Sequence, residues 1–114
     1  VLAARDFYKL DLTDILVICD DFQLPLSTIR MRLSGSAGGQ KGLADTIARL
    51  SNTAIPRLRV GIGPVPKHQD PPSFVLGKFT KYEQSELNET IHRAADAAES
   101  WVTLGIETTM NRYN

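Results

Sequence analysis

One cysteine in 114 residues rules out an internal disulfide. Cys19 closes the apolar run Ile15-Leu16-Val17-Ile18-Cys19, so it reads as a buried, reduced, structural thiol, and a cytoplasmic or other reducing compartment is expected. Histidine is almost as scarce. His68 and His92 are the two in the chain, and neither has a second His, Cys or acidic cluster at ligand spacing, so no metal centre is expected. There is no Ser-His-Asp ordering, no C-x-x-C, no internal repeat and no low-complexity segment. No apolar run approaches the roughly 18 residues of a membrane span, and Val1 does not open a secretory signal, so no membrane association is expected. An initiator Met is also lacking, and the chain is expected to begin mid-gene or after processing. With 42% hydrophobic residues it has enough apolar surface for one globular domain over 1–114.

Net charge is lacking too, at zero, which for the chain as a whole argues against a nucleic-acid binder. Its distribution argues the other way. Between Thr28 and Gln69 stand Arg30, Arg32, Lys41, Arg49, Arg57, Arg59 and Lys67, opposed by Asp45 alone. That is a local excess of six positive charges, mirrored by six negative over the remainder, and it is the footprint of a polyanion site. An uneven but solvated surface is the competing reading.

At the centre of this basic region is Ser34-Gly35-Ser36-Ala37-Gly38-Gly39-Gln40-Lys41-Gly42-Leu43. Glycine lets backbone turn with positive φ and lets another molecule approach the main chain. Apolar residues at 43, 47 and 50 then mark a helix, so a Gly-rich loop opens onto a helix N-terminus with unpaired N–H groups. Such a terminus suits an anion. Gln40 stands where a Walker loop needs its second glycine, and no G-x-G-x-x-G is present, so the nucleotide motifs fail. A plain connecting loop and a binding loop both remain open at this point.

In chain order, Leu2–Leu10 reads as the tail of a helix. The continuous run 14–19 reads as a central strand covered on both faces, ending at Asp20-Asp21. Carboxylates at the C-terminal end of such a strand are where open α/β sheets place sites, although Asp20 could equally cap the following turn. Phe22–Ser27 reads as loop. Thr28–Leu33 alternates, with Ile29, Met31 and Leu33 on one face and Arg30 and Arg32 on the other. Arg57–Ile62 alternates likewise, with Arg57 and Arg59 opposite Leu58, Val60 and Ile62. If these strands are neighbours, four guanidiniums line one groove; solvated strand faces carrying Arg are the alternative. Gly63–Pro72, which holds His68, reads as an irregular surface loop, and Phe74–Gly77 as a short apolar anchor. Thr80-Lys81-Tyr82-Glu83 has capping-box form and starts a long helix with Leu87, Ile91, Ala94, Ala95, Ala98, Trp101 and Val102 on one face and His92 at its edge. Thr109–Asn114 reads as a polar tail.

Five stretches in this order, Asp20-Asp21-Phe22-Gln23-Leu24-Pro25, Gly35–Leu43, Arg57–Gly63, Phe74–Phe79 and Met110–Asn114, are similar to the successive signatures of bacterial-type peptidyl-tRNA hydrolase. The resemblance covers nearly the whole chain. It implies a single α/β domain with a mixed sheet between helices, its N-terminal strands missing here. It also implies hydrolysis of the ester between a peptide and the terminal ribose of tRNA, with no metal and no organic cofactor, by a protein that is monomeric at full length. Peptidyl-tRNA is the implied partner. Asp20 matches the acidic residue that orients the family's catalytic His. Lys41 stands where the family usually has an Asn near the scissile end, beside Gly38, Gly39 and Gln40. Arg30 and Arg59, with Arg32 alongside, match the basic pair that clamps a phosphate of the acceptor stem. Neither His68 nor His92 matches the catalytic position, so the chain is expected to be the C-terminal portion of such an enzyme, nearly inactive alone. A non-catalytic RNA-binding module of the same fold is the alternative.

Overall fold

The computed structural model describes residues 1–64 and 78–114. His68 and the Phe74–Gly77 anchor lie outside the described residues. The chain opens with α1 (Leu2–Tyr8), stopped by Lys9 in the left-handed region at φ 54°, and a single 3-10 turn at Leu12–Asp14. Strands β1 (Val17–Pro25), β2 (Ile29–Arg32) and β3 (Arg57–Gly63) follow, with α2 (Lys41–Leu50) between the last two. Two helices complete the described chain, α3 (Lys81–Leu104) and α4 (Ile106–Tyr113).

The strand order is β1-β3-β2, with β1 parallel and β2 antiparallel to β3. The sheet is mixed, as expected, but its central strand is β3 and not the 14–19 run. Leu58 is fully buried, whereas Ile18 is 55% exposed, because β1 has no strand on its outer side among the described residues. β1 also starts later and runs further than the sequence suggests. Asp14 belongs to the 3-10 turn, and Phe22–Pro25, expected as loop, continues the strand.

Glycine permits that continuation. Register between β1 and β3 becomes irregular after Asp21, where β1 crosses close over the end of β3. A Cβ on Gly61 would collide with the carbonyl oxygen of Pro25, and one on Gly63 with that of Phe22. Only residues without a side chain leave room for this approach.

One face of the sheet packs Ile29, Met31 and Leu58 against Ala94 and Ala97 of α3, with Trp101, Ile106, Met110 and Tyr113 closing the cluster. The capping box of α3 forms as expected: Glu83 N donates to Thr80 Oγ1 at 3.2 Å and Thr80 N to Glu83 Oε1 at 2.9 Å. Its buried stripe, however, runs through Thr90, Ala94, Ala97 and Ser100, leaving Ile91 and Val102 exposed. Two hydroxyls can take buried places because they bond each other, Ser100 Oγ to Thr109 Oγ1 at 2.8 Å. The expected polar tail is instead the helix α4. Asn114 just beyond it accepts from Met31 N at 2.7 Å and donates to Met31 O at 2.9 Å. Its side-chain amide thus pairs with the free edge of β2 as a neighbouring strand would.

Candidate functional site

The Gly-rich loop takes the conformation its composition allows. Gly35, Gly38 and Gly39 have φ of 133°, 60° and 87°, which other residues adopt only with strain. α2 begins at Lys41, two residues earlier than the apolar spacing indicates, because Gln40 is its N-cap and accepts from Leu43 N through its side-chain oxygen. The other half of that amide, Nε2, donates to Asp20 Oδ1 at 3.3 Å. Asp20 and the Gly-rich loop therefore meet. Asp20 lies within β1 rather than at its C-terminal end, and of the two readings left open its side chain accepts from the N-cap of α2 and not from the turn that follows it.

The two Arg-bearing strands are adjacent. In the antiparallel register Arg30 faces Arg59 and Arg32 faces Arg57, so all four side chains leave one face of the sheet. Like charges directly opposite repel, and the fold resolves this differently at each position. Arg59 Nη1 donates to Asp21 Oδ2 at 2.9 Å, and Asp21, 4% exposed, also accepts from Gln23 N at 2.8 Å. Arg57 is 2% exposed and points its guanidinium into main-chain carbonyls. It donates from Nε to Ile55 O at 3.0 Å, from Nη1 to Gly35 O at 2.8 Å and Ser36 O at 2.7 Å, and from Nη2 to Thr53 O at 2.8 Å. Burial pulls its pKa below the usual guanidinium value. Four guanidiniums do not line an open groove. Arg30 and Arg32 keep theirs available, with only long bonds to Ile29 O at 3.5 Å and Met31 O at 3.4 Å. Neither makes an ion pair among the described residues. Lys41 is exposed on the first turn of α2.

Asp21 is the residue that sequence reasoning passed over. No local pattern marks it as Arg59's partner: the β1–β3 register does, with Cys19 opposite Arg59 and Asp21 two residues further along the same face, which gives Arg59 a carboxylate within reach. Cys19 is half-buried rather than buried. Burial first, then the charges of Asp20 and Asp21, push its thiol above the ordinary value. His92 is exposed on α3. Among the described residues no three His, Cys, Asp or Glu side chains converge as a metal site would require. A depression of about 570 Å³ between Leu33, Pro56, Trp101, Val102 and Ile106 holds none of Asp20, Arg30, Arg32, Gln40, Lys41 or Arg59.

A mixed sheet with arginines paired across β2 and β3, beside a Gly-rich loop whose helix cap reaches a strand carboxylate, defines an α/β protein. Within that class the chain belongs to the peptidyl-tRNA hydrolase family, whose model matches residues 1–114. A peptidyl-tRNA hydrolase of Rhodopirellula baltica is 49% identical over 114 residues, which are 100% of this chain and 60% of that protein. One of Chlorobium phaeobacteroides is 48% identical with the same coverage. The crystal structure of peptidyl-tRNA hydrolase from Acinetobacter baumannii superposes with a TM-score of 0.83 at 29% identity, covering 97% of this chain and 56% of that one. The chain thus spans about 60% of the length of the relatives it matches.

Proposed function

We propose that this chain carries the tRNA-facing part of a peptidyl-tRNA hydrolase, a carboxylic ester hydrolase of translation that frees tRNA from dropped-off peptides in the cytoplasm. The observation that carries this reading is the family match over the whole chain. The geometry supports it in three places. Arg30 and Arg32, which make no ion pair among the described residues, stand with the Asp21-held Arg59 on one sheet face, a suitable clamp for phosphate. The loop Gly38-Gly39-Gln40-Lys41 would form the wall against which the 3′ end lies, with Lys41 a donor near the scissile ester. Asp20, next to that wall, would orient an imidazole base through a carboxylate–imidazole hydrogen bond. No metal or organic cofactor enters this scheme.

A second reading, a tRNA-binding module without turnover, is favoured by one observation. The side-chain partner of Asp20 is Gln40, and His92 stands exposed on α3. Among the described residues no imidazole meets Asp20; general base catalysis contributes ~10²–10⁴-fold, so on this reading the 114 residues bind but hardly hydrolyse. The two readings separate in one assay. An N-blocked aminoacyl-tRNA is incubated with the 114-residue chain and with a chimera that adds the rest of the Rhodopirellula baltica relative. Release by the chimera alone, reduced by Asp20→Ala more than tRNA binding is weakened, supports the enzyme. Tight tRNA binding by both without release supports the module. Release by the 114-residue chain at the chimera's rate contradicts the assignment of roles.

A further inference from the structure

Arg57 is the most buried cation of the molecule's described part, and no carboxylate meets it there. Its four hydrogen bonds go to two places in the chain that are far apart in sequence. Gly35 O and Ser36 O lie where the backbone enters the Gly-rich loop. Thr53 O and Ile55 O lie where it returns after α2. A backbone bond from Gly35 N to Thr53 O at 3.2 Å closes the same neck. Residues 35–53 therefore leave the sheet and return at one point, and the guanidinium is the staple across it.

The staple also sets direction. In a planar trans peptide the carbonyl of one residue and the N–H of the next point opposite ways. With the carbonyls of Gly35 and Ser36 turned onto Arg57, the N–H groups of Ser36 and Ala37 are turned away from it. Among the described residues neither of these N–H groups, nor those of Gly38 and Gly39, donates a hydrogen bond. Successive outward N–H groups form a concavity of partial positive charge. At its far end the loop is held a second time, by Gln40 on Asp20.

We propose that Arg57 is a positioning residue: it sets the Gly-rich loop against β3 so that the loop's N–H groups face outward and Gln40 meets Asp20. It does not touch the nucleic acid itself. The functional part of this inference rests on the reading of the loop as the wall of a tRNA 3′-end site; the positioning part does not.

The rigid fork of Arg57 serves carbonyls in two chain segments, and an ammonium is a single point on a flexible stem. Arg57→Lys keeps the charge and loses the fork. Two measurements on the 114-residue chain test the proposal. By amide hydrogen exchange, Arg57→Lys lowers protection of Gly35, Gln40 and Leu43 at least tenfold while Leu58 and Val60 stay protected. By tRNA binding across a salt series, Arg57→Lys weakens affinity with the slope of log K against log salt unchanged, whereas Arg30→Ala flattens that slope by about one phosphate contact. In Arg57→Ala, which vacates the guanidinium site, millimolar guanidinium restores protection of the same three amides. Wild-type exchange in Arg57→Lys overturns the proposal. So does equal loss of protection across β3, which would make Arg57 a general stability residue. If the wild-type chain fails to bind tRNA, the loop's functional reading fails, and hydrogen exchange alone decides the positioning.

Discussion

Gln40 uses both ends of one amide. Its oxygen caps α2 at Leu43 N, and its nitrogen reaches the Asp20 carboxylate. Losing an N-cap costs about 1 kcal/mol, typically, so Gln40→Ala should lower the unfolding free energy by about that amount in a urea titration. A change near zero would mean that the cap does not hold in solution. Cys19 responds to pH. Burial, then Asp20 and Asp21, hold its folded pKa above the ordinary value of 9.0. A folded pKa raised in this way adds stability that is complete below the ordinary thiol range. That stability is lost as pH rises through the folded value. At pH 8 the folded chain should therefore react with iodoacetamide more slowly than the same chain in urea. Equal rates would contradict the shift. Arg57 and Arg59, two residues apart, show what residue type alone leaves open. Both count as one positive charge in the sequence, but one staples carbonyls and the other pairs with Asp21. Which partner a guanidinium takes depends on long-range register, and local pattern does not carry it.

At the scale of elements, β1 and β3 fit together only because of two glycines. Overpacking a core costs roughly 1–3 kcal/mol when side chains can shift, and more when they cannot. Gly61→Ala sets a Cβ against the main-chain oxygen of Pro25, which cannot rotate away. Its cost should therefore exceed about 3 kcal/mol, read as a large fall in thermal midpoint or as loss of soluble protein. An unchanged midpoint would mean that β1 does not cross there. Strand alternation in 28–33 and 57–62, the capping box at Thr80, and the helix after the Gly-rich loop were readable because each is a local pattern with a local cause. Three features were not. The continuation of β1 through Phe22–Pro25 depends on glycines some forty residues away. The helical Thr109–Tyr113 is polar by composition, yet Thr109 is buried because Ser100 supplies its partner. The buried stripe of α3 is built on two alanines and two hydroxyl residues, which carry little weight beside Ile91 and Val102 in a hydrophobicity pattern, but the small alanines allow close approach to the sheet.

For the whole molecule, the outer edge of β1 is unpaired among the described residues, and Ile18 is 55% exposed on it. Phe7 and Tyr8 of α1 are 79% and 68% exposed. An open strand edge with apolar neighbours is a template for further pairing. The 114-residue chain should self-associate as its concentration rises in sedimentation, and a sharp, monomeric thermal transition would contradict this. Net charge is zero for the chain, but Arg30, Arg32 and Lys41 stand exposed or half-exposed around one loop. The central claim is that this surface receives the tRNA of a peptidyl-tRNA. The measurement that tests it most directly is tRNA affinity at two salt concentrations, for the wild type and for Arg30→Ala with Arg32→Ala. The account predicts binding that weakens steeply between about 50 and 200 mM salt, with the double variant binding less and showing a shallower salt slope. No binding at the lower salt, or a double variant indistinguishable from wild type, would contradict it.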